Sequence, residues 1–270
     1  MSALTGMRVV ELASERIAYA GKLLGDMGAD VVLVEPPGGE PSRGYPPFVN
    51  DEPMEDGSLY WWHYNTSKRS VVLDLERDAA RDAFKKLVAS ADVLIESETP
   101  GRLAELGLDY DTLSKIKPDL IHVSMTPFGR STSRKDEPVV DLTILAGGGP
   151  VWSCGYDDHS LPPVRGAGNQ AQHTASLFAL TSLLVALLER EQSGLGQHVA
   201  VDMHAAANVT TEMASYHWLV WQGTVQRLTG RHASERPTLP SQVCCADGSY
   251  VTTGVPPRNC SRSTQHNNKS

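Results

Sequence analysis

Cysteine is scarce: four residues in 270 (Cys154, Cys244, Cys245 and Cys260), with no C-x-x-C spacing and no histidine pattern beside them. Neither a disulfide framework nor a zinc cluster is expected, no metal is expected, and such thiols fit a reducing cytoplasm. Positive charge is also short, 24 Lys and Arg against 32 Asp and Glu for a formal net charge of −8. That balance excludes the clustered basic face of a nucleic-acid or membrane-surface protein, while leaving room for a few local cations around one small ligand. Long apolar runs are lacking. The longest, Ala175 to Leu188, is interrupted by Ser and Thr; it is expected to be too short for a bilayer and to form a buried helix. Met1 to Gly6 has neither a basic nor an apolar leader segment, so no secretory signal is expected there.

What is present is alternation. Arg8 to Leu12 is a short β-type run, Arg16 to Met27 has helical spacing, and Asp30 to Glu35 is rich in β-branched residues, which together predict a β-α-β unit. Its first turn, Ala13 to Ala18, has no glycine, so the G-x-G-x-x-G dinucleotide fingerprint is absent. A Pro- and Gly-rich loop runs from Pro36 to Gly57, followed by a strand at Ser70 to Leu73. Ala80, Ala83, Phe84, Leu87 and Val88 form one apolar helical face before a strand at Asp92 to Ile95. A short helix near Asp111 to Ile116, a strand at Leu120 to Ser124 and a Gly-rich stretch at Ala146 to Pro150 follow. Helices at Ala171 to Arg190 and Met203 to Trp221 flank a strand at Gln197 to Val201. A hairpin is expected at Val243 to Cys245 and Tyr250 to Thr253, turning at Asp247-Gly248. The pattern predicts an α/β fold with a mainly parallel sheet covered by helices on both faces. The expected organisation is a large domain over 1–225, a linker and the start of a smaller domain over 226–258, and a disordered tail over 259–270.

Four segments carry a resemblance: Asp26 to Gly39 with Ser42-Arg43-Gly44; Asn65 to Leu75; Ala91 to Ser97 with Pro100-Gly101; and Gly194 to Val201. In order and spacing they resemble class III CoA-transferases, the CaiB/BaiF family. The resemblance implies a Rossmann-like large domain, a smaller inserted domain and an interlocked homodimer. Family members are longer, so it also implies a chain shortened at its C-terminal side. The implied cofactor is a coenzyme A thioester acting as substrate, and the implied partners are acyl-CoA and a carboxylic acid acceptor.

In that family an aspartate attacks the thioester to give a mixed anhydride, and CoA then passes through an enzyme-bound thioester to the acceptor. The approach to that carboxylate is matched here by Pro162 to Gln172, with Gln172 at the aspartate's position. An amide can position or polarise a carbonyl but is not the ionised nucleophile that anhydride chemistry needs. No Asp or Glu lies between Arg165 and Glu189 to replace it, and His173 is the nearest titratable group and a candidate base. Gly166 and Gly168 fit a close backbone approach ahead of the helix. The family's racemase branch is disfavoured, because its histidine position is Val140, just before Asp141, and its aspartate is again Gln172.

By the same resemblance the CoA-binding candidates are Arg16, Leu73, Ser97, Glu98 and Arg102. The family's Asn-Phe pair around the nucleotide becomes Ser97-Glu98, a downstream arginine becomes Glu105, and a lysine becomes Glu76. Acidic residues there oppose a phosphate-bearing ligand; Arg16, Arg43, Lys68, Arg69, Arg77 and Arg102 are the cations that could compensate. Trp61, Trp62, His63 and Tyr64 would either wall a ligand pocket or form a buried aromatic anchor. Two readings stay open: a CoA-transferase moving CoA between carboxylic acids, or a non-catalytic acyl-CoA-binding partner, alone or in a heteromer with a related chain.

Overall fold

The computed structural model describes residues 2–54, 56–156, 158–228, 231–234 and 242–252. Six parallel strands form its main sheet: β1 (Arg8–Leu12), β2 (Asp30–Glu35), β3 (Lys68–Val72), β4 (Val93–Glu96), β5 (Ile121–Thr126) and β6 (His198–Asp202). Their spatial order is β3-β2-β1-β4-β5-β6. The register runs Arg8↔Asp30 to Leu12↔Val34 between β1 and β2 and Val9↔Val93 to Glu11↔Ile95 between β1 and β4. Strands β2, β4 and β5 are buried almost end to end, as expected of inner strands covered on both faces. The edge strand β3 is exposed from Arg69 onward, and a charged residue there discourages further pairing.

Period-two alternation divides β1 between two layers. Val10 and Leu12 join Val34 and Leu94 in one core cluster, packed by Phe84 and Val88 of a helix at Asp78–Ala89 and by Leu113 of one at Tyr110–Ile116. Glu11 points to the other layer, where a helix at Ala18–Asp26 covers it. Glu11 is fully buried and 2.8 Å from the Lys68 ammonium, which also donates to Ala18 O and Asn65 Oδ1. Burial pushes the Glu11 carboxyl up to about 7 against the pull of Lys68.

In chain order the helices are α1 (Ala18–Asp26), α2 (Leu59–Tyr64), α3 (Asp78–Ala89), α4 (Arg102–Glu105), α5 (Tyr110–Ile116), α6 (Asp141–Gly148), α7 (Gln170–Ser193), α8 (Met203–Val209) and α9 (Glu212–Trp221). The stretch read as Gly-rich is the end of α6, whose start is fastened by Val140 N–H donating 3.0 Å to Thr143 Oγ1 and which stops at Gly149 with φ +104°. The single helix expected over Met203 to Trp221 is two, broken where β-branched Val209, Thr210 and Thr211 crowd the turn. Strands Gln242–Cys244 (β9) and Tyr250–Thr252 (β10) pair antiparallel as the expected hairpin, and a second pair, Val225–Leu228 (β7) with Arg231–Ser234 (β8), precedes it.

Helix α7 corrects one expectation. Its 24 residues are long and apolar enough to span a bilayer by length and composition, so shortness is not what argues for a core helix. Its buried stripe is: Ala171, Ala175, Ala179, Leu183 and Ala186 recur at helical spacing, mostly small side chains that let the helix lie close to its neighbours. The helix stops where Gly194, at φ +73°, donates its N–H to Arg190 O at 2.8 Å.

The chain divides into two units, one of residues 1–139 with 171–206 and one of 140–170 with the described residues from 207 onward. This differs from the expected boundary at 225. The tail expected over 259–270 lies outside the described residues.

Candidate functional site

A doubly wound sheet in this strand order reverses direction of growth between β1 and β4, and the crevice beyond the carboxyl ends of those strands is where such folds place ligands. Here that place holds a cavity of about 320 Å³, lined by Leu12 and Ala13 at the end of β1, Val34 to Pro37 at the end of β2, Leu73 to Glu76 after β3, and Glu98 and Arg102 after β4. Three of the five CoA-binding candidates, Leu73, Glu98 and Arg102, therefore line one cavity. Ser97 sits behind Glu98, 5% exposed, with its hydroxyl lacking a hydrogen-bond partner. Arg16 lies in the β1–α1 turn, close enough to act on the charge of Glu98.

The loop after β4 is held by its own strand end: Glu98 N–H donates 2.6 Å to Glu96 Oε2. Burial raises the Glu98 carboxyl above its ordinary pKa, and neighbouring Glu96 adds to the rise. Arg102 is already engaged, with Glu76 on one side and Glu105 at 3.2 Å on the other. Asp74 is paired with Arg77 at 3.3 Å.

The two catalytic candidates are in the first turn of α7. Gln172 is 8% exposed, and its Oε1 has no hydrogen-bond partner. One turn on, Ser176 is fully buried and its hydroxyl also lacks a partner. His173 Nε2 is 2.8 Å from the Tyr64 hydroxyl of α2, and its ring is 4.5 Å from that of Tyr19 in α1. Tyr60, on the same short helix as Tyr64, donates to Glu15 at 2.6 Å. Glu15 and Arg16 in the β1–α1 connection and Tyr19 in the first turn of α1 thus lie close in sequence and serve both the cavity and the His173 contacts. Tyr64 therefore does more than anchor α2, whereas Trp61 is a buried anchor under the Arg43 guanidinium, 4.1 Å from its ring, and Trp62 is 49% exposed.

Sequence reasoning missed Tyr19 and Ser176. Ser176 had a signal, its i, i+4 spacing from Gln172; Tyr19 had none, because its role depends on where α2 packs. The loop ahead of α7 is exposed, with Gly168 at φ +77°, a conformation that favours glycine, and with Arg165 paired to Asp141 at 2.9 Å. A larger cavity of about 800 Å³ opens beneath the Pro36 to Gly57 loop, but Arg43 there is occupied by Glu35 and Asp56. Among the described residues no group of three or more His, Cys, Asp or Glu is arranged to hold a metal ion.

Comparison with known proteins agrees with the fold. The chain is 36% identical over 252 residues to the succinyl-CoA:(R)-benzylsuccinate CoA-transferase subunit BbsE of Thauera aromatica, a match covering 93% of this chain and 60% of that one. It is 38% identical over 224 residues to the succinyl-CoA:mesaconate CoA-transferase of Haloarcula hispanica, covering 81% and 56%. Among solved structures, a CaiB/BaiF family protein from Brucella suis superposes with a TM-score of 0.82 at 30% identity, over 92% of this chain and 65% of that one. The chain thus spans less than two thirds of the length of these relatives. The family model for CoA-transferase family III matches residues 4–264, and the chain belongs to that family.

Proposed function

We propose that this chain acts on acyl-CoA thioesters, moving CoA between carboxylic acids, with Gln172 holding the thioester carbonyl instead of attacking it. The observation that carries this reading is the buried amide of Gln172 in the first turn of α7, its Oε1 left without a partner. A buried acceptor without a partner costs about 1–3 kcal/mol, a cost that only a donor on a bound ligand would relieve, separately from the donation by the amide nitrogen. The amide's N–H would donate to the thioester carbonyl, aided by the positive end of the helix. Without an enzyme carboxylate, the acceptor acid itself attacks that carbonyl. The C–S bond breaks, CoA leaves as thiolate, and the thiolate then attacks the acceptor carbonyl of the resulting anhydride, releasing the donor acid. His173, hydrogen-bonded to Tyr64, would be the nearest base.

Leu73, Glu98 and Arg102, with Arg16 and Ser97 beside them, would hold the nucleotide end at the switch point. A dimer, as the family resemblance implies, is supported by α7, which leaves Leu177, Val185 and Leu188 more than half exposed along one flank. We place the protein in the cytoplasm, on the strength of its few thiols. A second reading is a non-catalytic acyl-CoA-binding subunit of a heteromer. It is favoured by the replaced nucleophile and by the likeness to a protein named as a subunit.

Gln172→Asp tests both readings. The variant should raise CoA transfer from succinyl-CoA to carboxylic acids by about a hundredfold or more, the scale of an activated nucleophile. It should also leave a CoA thioester on the protein that mass spectrometry detects. A folded, CoA-binding variant that stays inert would exclude simple loss of the nucleophile. Activity only on co-expression with a related chain carrying the aspartate would select the subunit reading.

A further inference from the structure

The cavity at the switch point carries the wrong charge for the most highly phosphorylated part of coenzyme A. Its lining presents Asp74, Glu76 and Glu98 against a single guanidinium, Arg102. Arg102 is not free to meet a phosphate, because Glu76 and Glu105 both hold it. Arg77 is committed to Asp74. Glu35, which also lines the cavity, is bound by Arg43. The cation left over is Arg16, which has no ion pair among the described residues and lies near Glu98 at the β1–α1 turn.

One uncommitted arginine beside a helix start suits a diphosphate. Glu98, whose carboxylate has no donor among the described residues, suits a ribose hydroxyl, which donates a hydrogen bond, as an acidic residue does in dinucleotide-binding folds of this strand order. With Asp74 and Glu76 beside it, it does not suit the phosphate that CoA carries on its ribose 3′ position. We infer that this cavity takes a ribose whose 3′-hydroxyl is free, so that a 3′-dephospho-CoA thioester is the better ligand than the corresponding CoA thioester. The inference rests on the acyl-CoA reading above and adds the ligand's phosphorylation state to it. Glu76 and Glu98 are the specificity-determining residues: Glu76 neutralises Arg102, and Glu98 accepts from the ribose.

The test is calorimetric titration of the full chain with CoA and with 3′-dephospho-CoA, two probes that differ by one phosphate. Dephospho-CoA is expected to bind about fivefold to tenfold more tightly at low ionic strength, the effect of one or two unfavourable close charge pairs in solvent-rich surroundings. The gap should shrink in high salt. Glu76→Lys, which adds a cation and removes one of the two partners of Arg102, should close or reverse the gap, and the near-isosteric Glu98→Gln should narrow it. CoA binding as tightly as dephospho-CoA, or more tightly, overturns this inference and leaves the acyl-CoA reading standing. A dephospho-CoA preference unchanged in both variants removes the assignment to these carboxylates. No binding of either probe by the folded chain overturns the inference together with the reading beneath it.

Discussion

Two glutamates at the carboxyl ends of the strands on either side of β1 have opposite surroundings. Glu35, the last residue of β2, is 2% exposed and accepts from Arg43 Nη2 at 2.7 Å, Arg43 Nε at 2.8 Å, Glu40 N–H at 3.0 Å and the Ser70 hydroxyl. Burial alone would raise its carboxyl, yet the hydrogen bonds and the charge of Arg43 hold it down to about 2. Glu98, just past the end of β4, is half-buried and has no donor to its carboxylate among the described residues, and burial with Glu96 nearby raises it. The same side chain is a fastening in one place and an unsatisfied acceptor in the other. Satisfaction of its polar atoms therefore separates the glutamate that holds the fold from the one that keeps a free acceptor at the cavity.

Removing the fastening should have the largest effect. Glu35→Gln leaves the Arg43 guanidinium without its main partner and is expected to destabilise the protein by about 3 kcal/mol in urea unfolding at neutral pH. The same variant should lose an acid transition. In the wild type the unfolded carboxyl takes a proton near its ordinary 4.5 while the folded one resists until about 2. Its contribution is thus present above pH 4.5 and lost as the pH falls toward 2; the variant's stability should be flatter across that window. Ser70→Ala removes one of the donors and should cost about 1 kcal/mol. Glu98→Gln should change stability by about 0.5 kcal/mol or less. A loss from Glu98→Gln as large as that from Glu35→Gln would erase the distinction.

The strands β1 and β2 were legible to the residue, Arg8 to Leu12 and Asp30 to Glu35, because inner parallel strands need unbroken β-branched and apolar runs. The helix α2 was not. Six residues, Leu-Tyr-Trp-Trp-His-Tyr, are too few to show a period, and Ser58, which caps it by accepting from Trp61 N–H at 3.1 Å, has no distinctive surroundings in the sequence. Helix α6 was hidden by its glycines, which score against a helix even where packing imposes one. The candidate site was half legible. Gln172, His173 and the residues after β3 and β4 could be named from the resemblance. The partnership of Arg102 with Glu76, 26 residues apart in sequence, could not, since nothing local distinguishes a committed arginine from a free one. The pairing of His173 with Tyr64 spans 109 residues and was hidden for the same reason.

Gly21 in α1 faces the buried carboxylate of β1 so closely that a methyl group in place of its hydrogen would fall 1.8 Å from Glu11 Oε2 and 3.1 Å from the Lys68 ammonium. A flexible side chain could normally swing aside, but Glu11 is tied to Lys68 within the core and has nowhere wet to go. The position therefore admits one amino acid of the twenty. A survey of tolerated substitutions would rank Gly21 among the most intolerant sites in the chain, alongside any residue that touches substrate, although it takes no part in chemistry. Selection there acts on an empty space.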